Sequence, residues 1–239
     1  MGTPAEHLPL VERAERYWTE SRRPLASLTF IAPLLAIYEV GVLWLGVRPN
    51  GAHDLIQRFF DLFGFGQHLL LPGLVVAILL GWHHLSRQPW RLSPGILPAM
   101  AAEAIALGLC VRVIDFLQHS LAAIGTVESM KDAFQNGVGY LGAGIYEELL
   151  FRLILLSLFA WAIRRAGVAP RVSMIVAAVL SSLLFAAAHH AGPCGEPVVR
   201  SRFVFRTLAG LFFSVVYVYR GFGIAAGSHA AYDIMVGVF

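Results

Sequence analysis

Residues 138–163 read VGYLGAGIYEELLFRLILLSLFAWAI, and the fold turns on how that string is taken. Its length suits one helical crossing of a bilayer, which needs about 20 mostly apolar residues. Yet it carries Glu147, Glu148 and Arg152, and charges inside a span are expensive unless paired or used. Composition supports a membrane reading. The chain has 239 residues, 57% hydrophobic and 14% charged, where soluble domains carry about a quarter charged. Mean hydropathy is +0.68. The expected fold class is therefore all-α, a polytopic membrane bundle of about seven transmembrane helices with interfacial amphipathic helices.

Working outward, apolar runs of spanning length fall at 25–46, 68–85, 95–117, 138–163, 172–190, 203–219 and 222–239. Punctuation separates them, at Pro49-Asn50-Gly51, Gln88-Pro89, Gly167 to Pro170 and Gly192-Pro193. Two segments mix apolar and charged residues as helices lying on a bilayer surface do. One is 9–23, with Leu10, Tyr17 and Trp18; the other is 52–65, with Phe59, Phe60 and Phe63. No secretory signal is read at the start, since residues 1–24 mix acids with arginines.

Charge adds direction. The 18 basic against 15 acidic residues are too nearly balanced to suggest nucleic acid as a partner; the lipid bilayer is the expected one. The N-terminal tail and every second loop after it hold ten basic residues, and the alternate loops hold five. The positive-inside rule then places the N-terminus in the cytoplasm, in a multi-pass protein of an inner (plasma) membrane. Cys110 and Cys194 lie in no CxxC spacing and read as free thiols.

Polar groups inside the spans carry the chemistry. Glu148 and Arg152 are four apart, so they share a helix face and can pair. Glu147 is turned about 100° from Glu148 and has no neutralising neighbour in sequence, which suits a general base. His189 ends the fifth run. His229 and Asp233 are again four apart, so the carboxylate can orient the imidazole or join it on a metal. His83 and His84 read as interfacial histidines. Glu39, Glu103, Arg112 and Asp115 read as structural, with Arg112 and Asp115 three apart.

Glu147-Glu148-x-x-x-Arg152, Phe185-x-x-x-His189 and His229-x-x-x-Asp233, in that order, resemble the CPBP family. These are the type II CAAX prenyl proteases and their bacterial relatives, also called Abi proteins. The resemblance covers roughly residues 138–239 and implies an intramembrane endopeptidase acting on a membrane-anchored or membrane-proximal peptide. It implies that Glu147 activates water with His189, that Arg152 holds Glu148, and that His229 and residue 233 stabilise the oxyanion. It divides the chain into an N-terminal segment (1–24), accessory helices (25–130) and a catalytic core (131–239). Asp233 stands where the family usually has asparagine, and an ionised aspartate cannot donate to an oxyanion. Asp233 is then protonated, or orients His229, or belongs to a zinc site with the histidines. Metal-free glutamate catalysis ranks ahead of the zinc version. Rival readings are a transporter or proton pathway, and a non-catalytic scaffold conferring immunity to a peptide toxin.

Overall fold

The computed structural model describes residues 9–46, 52, 56, 70–119, 130–191 and 197–237. Among these, every regular element is helical. The order is α1 (Leu10–Ser21), α2 (Pro24–Leu45), α3 (Leu70–Leu85), α4 (Ile96–His119) and α5 (Met130–Glu148). A π-helical segment (Leu149–Leu156) follows, then α6 (Ser157–Arg165), α7 (Pro170–Ala188), α8 (Arg200–Arg220) and α9 (Phe222–Gly237). Most of the 52–65 segment and Cys194 lie outside the described residues; Ala52 and Ile56 are buried.

Four stretches are long and apolar enough to cross a bilayer: Pro24–Trp44, Ile96–Leu117, Pro170–Ala188 and Arg200–Arg220. They turn apolar side chains outward, among them Trp44, Phe116, Ile175 and Val215, as a lipid-facing surface requires. Length and composition do not extend the count to seven. Leu71–Leu85 is apolar but shorter, the 138–163 run is split by the π segment at its charged residues, and α9 has 16 residues.

One apolar cluster knits the first half of the chain to the second. Ile31, Leu35 and Tyr38 of α2 and Val75 and Leu79 of α3 pack with Ile145, Tyr146, Phe222 and Ala226. α9 is central, and residues 221–230 are all buried. Gly221, at φ +85° beside the Arg22 backbone, separates α8 from α9 without a longer loop. Gly223 and Gly227 precede His229 on the last helix. α9 is continuous, and they serve close packing. A Cβ at Gly223 would lie 2.7 Å from the Ser27 Cα, and one at Gly227 would lie 2.6 Å from the Phe30 ring. α9 thus starts against the first turns of α2, at Ser27 and Phe30.

The charged residues read as structural find distant partners. Tyr146 donates to Glu39 at 2.6 Å, and Arg112 pairs with Asp115 at 3.2 Å. Glu103 pairs with Arg220, which the sequence puts in a loop but which ends α8 and is buried. Tyr17 and Trp18 of α1 cover that guanidinium, 5.2 and 4.0 Å from their ring centroids. Burial, and then a hydrogen bond to Glu103, pushes the Tyr17 phenol well above its ordinary pKa, so it remains a donor. His84 is exposed as expected of an interfacial histidine, but His83 is buried edge-on against Trp90.

Candidate active site

Small residues let α5 and α9 touch. A Cβ at Gly144 would lie 2.6 Å from the Ala230 amide nitrogen and 2.7 Å from the Ala226 carbonyl oxygen. That contact sets the last turn of α5 against the middle of α9 just before Glu147. The helix then changes register into the π segment directly after Glu148. A π turn loosens carbonyls from their usual partners, and such turns recur at functional sites. Side chains take up two of these carbonyls. Ser181 donates to the Phe151 carbonyl at 2.5 Å, and Ser157 donates to the Arg152 carbonyl at 3.4 Å.

Arg152 is wholly buried. Its Nη1 lies 3.1 Å from Glu148 Oε1, and its Nη2 donates to the Gly210 carbonyl at 3.1 Å. Its guanidinium carbon sits 4.5 Å from the centroid of the Phe185 ring. The same Glu148 Oε1 accepts from His229 Nδ1 at 2.8 Å. Phe213 stacks on the imidazole, with centroids 4.5 Å apart and planes 14° apart. Arg152, Glu148 and His229 therefore form one buried chain whose last ring is fixed on both its edge and its face.

Glu147 points out of that chain. Its Oε2 is 3.8 Å from His189 Nε2 and 3.9 Å from His229 Nε2, and is buried with no hydrogen-bond partner. These gaps exceed a direct hydrogen bond and suit a shared small polar molecule. His189 caps the end of α7, and its Nδ1 lies 2.8 Å from the Phe185 carbonyl. A carbonyl only accepts, so Nδ1 carries the hydrogen and the neutral ring turns a lone pair on Nε2 toward Glu147. Asp233 Oδ2 is 3.5 Å from His229 Nε2.

All six candidates drawn from the sequence meet at one place: Glu147, Glu148 and Arg152 from the α5–π run, His189 from α7, and His229 and Asp233 from α9. Sequence reasoning missed Phe213, since one more phenylalanine in an apolar helix gives no signal. It also passed over Arg206 of α8, which is close enough to act electrostatically on Glu147 and His189. An arginine inside a span was the available sign.

Residues 131–235 match the family model described as Type II CAAX prenyl endopeptidase Rce1-like. Over those residues, a little under half of the chain, the protein is similar to that family. The Rce1-like region contains every residue of the buried centre and both sides of the α5–α9 contact. No curated protein and no solved structure matches the chain. That similarity points to protease as the activity class.

Donors sharing a tetrahedral zinc lie about 3.4 Å apart, and those around Glu147 Oε2 are at 3.8 and 3.9 Å. Among the described residues no three His, Cys, Asp or Glu side chains are grouped to hold a metal ion. As placed, the pairs to Glu147 are wider than a tetrahedral zinc requires, whereas His229 Nε2 and Asp233 Oδ2, at 3.5 Å, are close to that spacing.

Proposed function

We propose that this chain is an intramembrane endopeptidase that hydrolyses a peptide bond of a membrane-anchored or membrane-proximal substrate, with Glu147 as general base. The observation that carries this reading is the buried, unbonded Glu147 Oε2 facing two imidazole Nε2 atoms. A buried carboxylate oxygen without a partner is rare in a purely structural role. Here it has two nitrogens with which to share a water.

In this mechanism the water gives one proton to Glu147 and hydrogen-bonds to the His189 Nε2 lone pair. Its oxygen bonds to the scissile carbonyl carbon, and the carbonyl electron pair moves to oxygen. His229 meets that charge. With Nδ1–H on Glu148, a second proton on Nε2 makes the ring a cation flanked by Glu148 and Asp233. Asp233 then orients the ring and does not itself contact the oxyanion, which accounts for aspartate at a position where asparagine would donate. Arg152 holds Glu148 in place. Collapse of the intermediate breaks the C–N bond, and Glu147 returns its proton to the leaving nitrogen. Preorganised donors of this kind contribute about 3–4 kcal/mol to transition-state stability.

The remaining helices serve as a frame. We place the catalytic core at 131–239, with 25–130 as accessory helices and 1–24 as an interfacial segment. The chain crosses an inner membrane seven times with its N-terminus in the cytoplasm. The test is cleavage of a quenched membrane-peptide library by the purified protein in detergent and H2-18O, with and without a chelator. The mechanism predicts chelator-resistant cleavage, one heavy oxygen in each new carboxylate and none in Glu147. Label in Glu147 would replace the general base with a covalent nucleophile. Chelator-sensitive cleavage restored by zinc would replace it with a metal centre.

A further inference from the structure

A second concavity lies far from the Glu147 centre, at the other end of α7. It has a volume of about 660 Å³ and is lined by Arg22, Arg164 and Arg165, with Trp82, Trp161 and Tyr217. The arginines come from two places in the fold. Arg22 stands at the junction of α1 and α2, where its Nη2 donates to the Val218 carbonyl at 3.4 Å. Arg164 and Arg165 form the last turn of α6. Arg165 lies over Trp161, 5.8 Å from its centroid. Among the described lining residues none is acidic, so three guanidiniums converge without a carboxylate to balance them.

The rest of the lining is mostly apolar. Leu156, Ala160 and Met174 make the inner wall. Trp82 and Trp161 are 38% and 58% exposed, and Leu85 at the end of α3 is 81% exposed. Exposed tryptophans beside arginines mark the headgroup level of a bilayer. The three arginines also belong to the tail and loop that the charge bias assigns to the cytoplasmic face, the leaflet that draws basic sites to anionic lipid. A soluble phosphate ester would match the arginines but leave the apolar wall and the exposed tryptophans without a use.

We infer that this cavity binds the headgroup of an anionic phospholipid. The phosphate meets Arg22, Arg164 and Arg165, and the upper acyl chains run down past Trp82 and Trp161. The volume falls within the range of small-molecule sites, about 300–1,000 Å³. Its wall includes Leu156 and Ser157, which join the π segment to α6. Bound lipid therefore touches the helix that carries Glu147, Glu148 and Arg152.

Native mass spectrometry of the full chain in detergent tests this, with phosphatidylglycerol or phosphatidylcholine of matched chains added. Wild type is expected to retain phosphatidylglycerol in preference. The variant Arg22→Gln/Arg164→Gln/Arg165→Gln is expected to bind it about a hundredfold more weakly, roughly fivefold per arginine, with phosphatidylcholine adducts unchanged. The triple lysine variant is expected to keep most of the preference. Should the triple glutamine variant fail to melt cooperatively, Arg164→Gln alone is expected to show the fivefold step. Equal retention of the two lipids by wild type, or undiminished phosphatidylglycerol binding in the folded glutamine variants, overturns the inference. Displacement of the lipid by inorganic phosphate at micromolar concentration overturns it in favour of a soluble phosphate ligand.

Discussion

Two glutamate–arginine systems in this bundle use the same residue types to opposite ends. Where α1 meets α4 and α8, Arg220 donates to both oxygens of Glu103 at 2.5 and 2.7 Å, and also to Ser21 at 3.0 Å. Tyr17 completes Glu103 at 2.5 Å. Both carboxylate oxygens there are used. At the α5–π junction, Arg152 and Glu148 also pair, at 3.1 Å, but Glu147 Oε2, Glu148 Oε2 and Arg152 Nε have no hydrogen-bond partner. A satisfied network holds helices together, whereas one with buried capacity left over is arranged to receive something. The difference separates a clamp from a reaction centre, although both are charge pairs within apolar helices.

The sharpest break in that comparison comes from removing a cation. Arg152→Met leaves Glu148 buried without its charge partner and is expected to cost about 3–5 kcal/mol, seen as loss of a cooperative melt in detergent. His189→Ala removes no buried charge pair. It is expected to lower the cleavage rate by about a hundredfold while the melting temperature holds. An equal fall in both would make His189 structural. On the clamp side, Glu103→Gln leaves Arg220 and Tyr17 with a neutral acceptor. Its side chain is 24% exposed, so the expected loss is smaller, about 1–3 kcal/mol, with cleavage per folded molecule unchanged. Tyr17→Phe should be the mildest, about 1 kcal/mol, measured as a small shift in the same melt.

Much of the centre was legible because helical spacing is local. Glu148 and Arg152 four apart, Glu147 turned away and His229 one turn before Asp233 all follow from 3.6 residues per turn. What brings the three helices to one point is tertiary and left weaker traces. α9 packs on the first turns of α2 because Gly223 and Gly227 allow close approach, and glycines in sequence read equally well as helix breakers. The π register depends on Ser181 of α7 taking up a carbonyl of another helix, which no local pattern encodes. Arg220 looked like a loop residue because Gly221 follows it, and its partner Glu103 lies more than a hundred residues away. Glu39 had no partner in its own segment, and Tyr146 supplies one from across the bundle.

The contrast between centre and clamp can be tested in one paired measurement. Glu147→Gln and Glu103→Gln are purified together with wild type, and each is assayed for its melting temperature and for cleavage of one susceptible membrane peptide. The account predicts that Glu147→Gln melts like wild type and cleaves at least a hundredfold more slowly, whereas Glu103→Gln melts lower and cleaves normally while folded. Cleavage by folded Glu147→Gln at the wild-type rate would contradict it.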